Sequence, residues 1–201
     1  MIKEKKGNLM EAKESILAHQ VNCKGRMGAG VAKQIRKRLL LEHQYQQYRR
    51  ACREYGADLL GICELVETES GKLVANLFAE DDPTGRGLDT NYVALEQALK
   101  SLRHQAKGRS ISLPGYLGCG LAGGDWEIVY PMICEVFEDY PGEVVIYYIE
   151  SSVERVQEEL NEALVCEDSQ TEVLLRSWHG FPKGTVKETV MEWFREIFDQ
   201  D

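Results

Sequence analysis

No two cysteines in this sequence form a CxxC pair. The six present, Cys23, Cys52, Cys63, Cys119, Cys134 and Cys166, are scattered along 201 residues, so no paired-thiol motif is written in them. The charged opening "MIKEKK" leads into no apolar signal region, and with the scattered cysteines it reads as the start of a reduced, cytoplasmic protein. No apolar run approaches the roughly 20 residues of a membrane-spanning helix. The histidines, His19, His43, His104 and His179, lie far apart with no ligand-spaced pair, so no metal is expected, and no motif leads to the expectation of a cofactor. Positive charge is also short. A formal net charge of −9 argues against a general affinity for nucleic-acid backbones, and any anionic ligand must be held locally. Internal repeats and low-complexity tracts are absent. What is present is 43% hydrophobic residues, enough to bury a core.

Those residues alternate between strand and helix patterns. "SILAHQV" reads as a buried strand, positions 29–39 as a helix, and "EHQYQQYRRACREY" as a second helix. "LLGICELVE" and "KLVANLFA" read as two strands joined by "TESG", whose Ser-Gly end suits a hairpin turn. In "NYVALEQALKSLRHQ", Tyr92, Leu95, Leu99 and Leu102 share one helical face after a capping Asn91. "SISLP" is a short buried strand. The helix "DWEIVYPMICEVFED" turns Trp126, Val129, Ile133 and Val136 inward, and "EVVIYYIE" is a last strand. This order predicts a three-layer α/β fold, a mainly parallel or mixed sheet covered by helices, with ligands beyond the carboxyl ends of the strands. The core is expected to occupy 1–150. A C-terminal extension, 151–201, carries the capping patterns Ser151/Glu154 and Thr185/Glu188 and an apolar stripe of Val186, Val190, Phe194 and Ile197, predicting amphipathic helices that pack on the core, on a second copy or on a protein partner.

Two glycine-rich turns stand between a strand and a helix. "GRMGAG" leads into the first helix and "GYLGCGLAGGDW" into the last. Backbone amides of such a turn, with the unpaired amides of the helix start, can hold an anion without side-chain charge. The first matches neither GxGxxG nor GxxxxGK[ST]. Two such loops on one sheet can grip one phosphate-containing ligand from both sides.

Taken together, "KGNL", "AHQVNCKGRMGAGVAKQI", "VANLF" and "LPGYLGCGLAGGDWEIV" resemble the macro domain, an ADP-ribose-binding module. The likeness is greatest to the branch of ADP-ribose-1″-phosphate phosphatases, terminal ADP-ribose protein glycohydrolases and DNA-ADP-ribose hydrolases. It implies a macro-domain sandwich, a central mixed sheet between helices, with ADP-ribose or a derivative across the strand ends. By this resemblance Asn8 falls where many macro domains place an adenine-binding Asp, and an Asn carbonyl can accept the same bond. Leu9 follows with a backbone amide near the base, and Asn22 lies near the distal ribose. Gly28, Ala29, Gly30 and Val31 match the first loop. Gly118, Cys119, Gly120, Leu121, Ala122 and Gly123 match the diphosphate loop, and Tyr148 is a candidate for packing on adenine, or a plain core or surface tyrosine.

Three side chains can carry chemistry. Asp125 begins the last helix, where a carboxylate serves as an N-cap or as a base that activates water beside the distal ribose. His19, in a buried strand, is either a hydrogen-bonded core residue or a group that protonates a leaving phosphate or holds Asp125. Cys119 lies between glycines with no base in view, and the resemblance assigns its backbone rather than its sulfur. The protein-deconjugating relatives use a lysine just after the strand that here reads "VANLF". This sequence continues "AEDDPTGRG", so a Schiff-base route is not supported, and neither Lys72 nor Lys100 is an evident substitute. Glu80, Asp81 and Asp82 read as a solvated acidic loop. The resulting expectation is a hydrolase acting at the distal ribose, foremost an ADP-ribose-1″-phosphate phosphatase. De-ADP-ribosylation of protein or DNA, as an antidote to a toxin, and ADP-ribose reading without turnover are the alternatives.

Overall fold

Six strands form one sheet in the order β1-β6-β5-β2-β4-β3 in a computed structural model that describes residues 2–149. They are β1 (Ile2–Lys6), β2 (Ile16–Asn22), β3 (Cys63–Glu67), β4 (Leu73–Glu80), β5 (Ile111–Pro114) and β6 (Val144–Tyr148). Every pairing is parallel except the β3–β4 hairpin, so the sheet is mixed. The helices are α1 (Gly30–Arg38), α2 (Glu42–Tyr55), α3 (Tyr92–Ala106) and α4 (Trp126–Val136). The helices and capping motifs expected after position 150 lie outside the described residues.

Strand alternation sorts the sheet's side chains into two cores. Ile16 and Ala18 of β2, Ala75 and Leu77 of β4, and Ile146 of β6 pack with Leu95, Leu99 and Leu102 of α3 and Val129 and Ile133 of α4. The opposite face sends Val21 and Phe78 against Tyr45, Tyr48 and Cys52 of α2. On that same face Leu17, Val74 and Val145 pack against Ile35 of α1. Three layers result, helices on both faces of one sheet, as the alternating pattern predicted.

β1 escapes the sequence reading. Its residues are IKEKK and four of the five are exposed, so it shows no apolar alternation. It forms because it lies in register along β6, from Ile2 opposite Val144 to Lys6 opposite Tyr148. Charged side chains on such an edge also discourage pairing with another molecule. The stretch "LLG" before β3 is likewise not strand: residues Gly56–Leu59 form a short 3-10 turn that buries Leu59.

Candidate functional site

Parallel pairing brings the carboxyl ends of β1, β6, β5, β2 and β4 to one edge of the sheet. Each continues directly into a segment singled out from sequence: Asn8 after β1, Tyr148 at the end of β6, the second glycine loop after β5, the first after β2, and the acidic segment after β4. Backbone bonds join neighbours along this edge. The Gly7 amide donates to the Tyr148 carbonyl at 2.8 Å, the Gly115 amide to Tyr147 at 2.8 Å, and the Cys23 amide to Glu80 at 2.8 Å.

The first loop is organised from beneath by Asn22. Its buried Oδ1 accepts from the amides of Lys24 at 3.1 Å and Arg26 at 3.0 Å, and its Nδ2 donates to the Arg26 carbonyl at 2.6 Å. The Tyr48 hydroxyl fixes the Asn22 carbonyl at 2.6 Å. Asn22 is therefore a loop organiser, with one amide hydrogen left for a ligand. Beyond it, Gly28, Ala29 and Gly30 are exposed. Ala29 stands at the N-cap of α1 and supplies no side-chain acceptor, and the first turn of α1 holds no acid. The first amides of α1 thus have no side-chain cap among the described residues, an arrangement suited to an anion.

The second loop is tied down. The Gly118 carbonyl accepts from the Gly124 amide at 2.9 Å and from the Thr90 hydroxyl at 2.6 Å, while Thr90 accepts from Gln20 Nε2 at 3.0 Å. Ala122 accepts from the amides of Asp89 and Thr90 at 2.8 and 3.0 Å. The amides of Gly120, Leu121 and Ala122, at the crest, donate to no protein acceptor among the described residues. Leu121 is 70% exposed there. Sequence reasoning missed Gln20 and Thr90, because the contacts that assign them a role cross 28 to 98 positions and leave no local pattern.

Asp125 is the N-cap of α4. Its Oδ1 accepts from the Glu127 amide at 3.0 Å, its own amide donates to the Tyr92 hydroxyl at 2.9 Å, and the side chain is exposed. His19 does not hold it. Strand alternation turns His19 to the α1/α2 face, where Nε2 meets Asn76 Oδ1 at 2.9 Å and Asn76 Nδ2 donates to Glu64 at 2.9 Å, while Asp125 caps a helix on the other face. Burial pulls the His19 pKa down to about 4, so the ring is neutral in ordinary conditions. The Cys119 thiol is pushed up to about 11 by burial and then by Asp125, and it donates to the Leu117 carbonyl at 3.2 Å. Burial and Asp125 both favour the protonated thiol, the less nucleophilic form.

At the β1 end, Asn8 caps a short turn, accepting from the Met10 amide at 3.0 Å, and Leu9 is buried. Tyr148 lies edge-on to Tyr116 and Trp126, with ring centroids 5.7 and 6.2 Å away. Tyr116 holds φ at +58°, a left-handed conformation uncommon for a side-chain-bearing residue.

The segment after β4 departs from a simply solvated loop. Lys24 of the first loop pairs with Asp81 at 2.8 Å and Arg26 lies 3.7 Å from Asp82, while Asp89 and Thr90 are tied to the second loop. Glu80 is half-buried, and burial followed by Asp89 and Asp82 raises its pKa to about 6. Among the described residues no three His, Cys, Asp or Glu side chains converge as a metal site, and no helix is long and apolar enough to cross a membrane.

No family model matches the chain. A DNA ADP-ribosyl glycohydrolase of Thermus aquaticus is 33% identical over 153 residues, 73% of this chain and 41% of that protein. An ADP-ribose 1″-phosphate phosphatase of Saccharomyces cerevisiae is 36% identical over 77 residues, 36% of this chain and 42% of that protein. The chain thus spans about two fifths of the length of the curated relatives it matches. Among solved structures, the macrodomain of Mycobacterium tuberculosis DarG superposes with a TM-score of 0.64 at 27% identity, covering 75% of this chain and 99% of that one.

Proposed function

The chain contains a macro domain, and from that premise we propose that it binds ADP-ribose along the carboxyl edge of its sheet and hydrolyses the bond between the distal ribose and its carrier. The observation that carries this reading is the shared edge. Asn8, Leu9 and Tyr148 sit at the β1/β6 end for the adenine, the two glycine loops follow β5 and β2 for the diphosphate, and Asn22 stands beside the β4 end for the distal ribose. Loop amides supply the anion contacts, so a protein of net charge −9 can hold a doubly charged ligand. Asp125 acts as the base that takes a proton from the attacking water. His19, neutral and bonded to Asn76, serves the sheet beneath the first loop.

The segment after β4 supplies no lysine, and Lys24, which reaches it from the first loop, is held as an ammonium by Asp81. Water is therefore the nucleophile in this reading. DNA is the favoured carrier, because the match to the glycohydrolase runs over 153 residues against 77 for the phosphatase. ADP-ribose-1″-phosphate is the second reading, supported by the higher identity over that shorter stretch.

The test is a calorimetric titration with ADP-ribose, AMP and NAD, followed by turnover on ADP-ribosylated DNA and on ADP-ribose-1″-phosphate. ADP-ribose is expected to bind best and free ADP-ribose to appear. Binding without release from either substrate leaves a reader of ADP-ribose. Failure to prefer ADP-ribose over AMP and NAD overturns the site itself.

A further inference from the structure

The net charge of −9 is not spread evenly. Between positions 24 and 53 the sequence holds nine Lys and Arg against a single acid, Glu42. The fold turns this excess outward on one face. Lys33, Arg36 and Lys37 of α1 and Arg49, Arg50 and Arg53 of α2 are all exposed, and none has an ion-pair partner among the described residues. The two helices bring their cations together. Arg36 lies over the Tyr45 ring with its guanidinium carbon 3.8 Å from the centroid, and Arg49 approaches the same ring at 5.8 Å. The face also adjoins the candidate site: a Cβ on Gly25, in the first loop, would sit 3.3 Å from Arg49 Cγ, and the Tyr45 hydroxyl donates to the Gly25 carbonyl at 3.2 Å.

We propose that this α1–α2 face docks the phosphate backbone of a nucleic-acid strand, holding it so that an attached ADP-ribose reaches the first loop. The proposal deepens the DNA reading of the proposed function and rests on it for the role of the strand, though not for its binding. Six unneutralised cations on two adjacent helices suit a chain of regularly spaced phosphates, and guanidinium groups fit phosphate oxygens in pairs. The overall negative charge argues against indiscriminate adhesion, not against one local surface.

The experiment is fluorescence anisotropy of the full chain with an unmodified single-stranded DNA of about 20 nucleotides at about 50 and 200 mM salt. The parent is expected to bind with a steep salt dependence. The triple variant Lys37→Glu, Arg50→Glu, Arg53→Glu should bind roughly tenfold or more weakly, with a shallower slope. Should that variant fold poorly in thermal melts, the triple Gln variant replaces it and should lose affinity in the same direction. Calorimetry with ADP-ribose should be unchanged in either. A parent that does not bind the oligonucleotide at the lower salt, or a triple variant that binds it equally well, overturns the proposal. A poly-glutamate peptide that competes as strongly as DNA assigns the face to acidic chains instead. A parent that binds the oligonucleotide but not ADP-ribose removes the proposed function and leaves this surface standing.

Discussion

The two glycine loops are alike in sequence and opposite in construction. In the first, an added Cβ at Gly28 or Gly30 would meet nothing within 4 Å. In the second, a Cβ would come within 2.5 Å of Gln20 Oε1 at Gly118, 2.2 Å of the Gly87 carbonyl at Gly123 and 2.7 Å of the Gly118 carbonyl at Gly124. Only Gly120, at the crest, is open. Glycine does two jobs here. In the second loop it lets backbone pack on backbone and fixes the loop's shape. In the first, Gly25 packs against Arg49, but Gly28 and Gly30 leave room beside the start of α1, where Ala29 supplies no side-chain cap. One loop is a preformed wall, the other a doorway.

That contrast is sharpest at Gly123. Its φ of +66° is strained for any other residue, and the atom an added Cβ would meet is the Gly87 backbone carbonyl rather than the end of a flexible side chain. Gly123→Ala is expected to destabilise the fold by about 4 kcal/mol, combining backbone strain with overpacking. Urea unfolding measures it, and a loss under about 1 kcal/mol would mean the second loop is as loose as the first.

The strands beneath the loops differ too. β5 is apolar apart from Ser112, whereas β2 carries buried His19. His19 has a folded pKa of about 4 against 6.5 for the free side chain, so the unfolded chain takes up the proton first. Its contribution is intact above pH 6.5 and is lost as pH falls toward 4, on the order of 3 kcal/mol in full. Glu80 works the other way. Its pKa is raised to about 6, so between its ordinary value and that point the native state holds more protons and acid favours folding, by less because the group is only half-buried. His19→Gln should flatten the decline of unfolding free energy between pH 6.5 and 4. Equal slopes in parent and variant would show that acid enters elsewhere.

How much of this was legible beforehand follows from the range of each interaction. Periodicity marks β2, α3 and α4 because their buried faces repeat within a few residues. β1 left no such mark, since its place depends on β6 almost the whole domain away. The glycine pattern located both loops, yet it could not divide them, because Gly118 is constrained by Gln20 and Thr90, and Gly123 by Gly87. The acidic run after β4 reads as solvated, and Asp81 and Asp82 are indeed partly exposed, but they also pair with Lys24 and Arg26 of the first loop, while Asp89 and Thr90 further along meet the second. Net charge likewise hid a basic face, since a sum carries no position.

A capping carboxylate separates the helices that follow the loops. α4 has Asp125, while α1 has Ala29 with no capping side chain. If Asp125 activates water, Asp125→Ala should lower turnover by ~100-fold or more with ADP-ribose affinity changed little. Loss of its cap alone costs about 1 kcal/mol of stability. Asp125→Asn keeps a capping oxygen but not the base, so it should restore the stability and not the rate. Recovery of both by Asn would reduce Asp125 to a cap and move the chemistry elsewhere.

The smallest effect on folding is expected at Gly28, and it tests the doorway most directly. Gly30 is a poorer probe, because its φ of +53° would add strain to any substitution. Gly28 has no such φ and no neighbour within 4 Å of an added Cβ, so Gly28→Ala should change stability by no more than about 0.5 kcal/mol. Gly28→Glu should fold equally well yet weaken ADP-ribose binding about tenfold or more, since its carboxylate would stand where loop amides receive a phosphate. Calorimetry and thermal melting on the same two proteins separate the possibilities. If Ala destabilises strongly, the first loop is packed like the second. If Glu folds and binds as the parent does, the space beside Gly28 is not where the ligand lies, and the second loop alone must account for the anion.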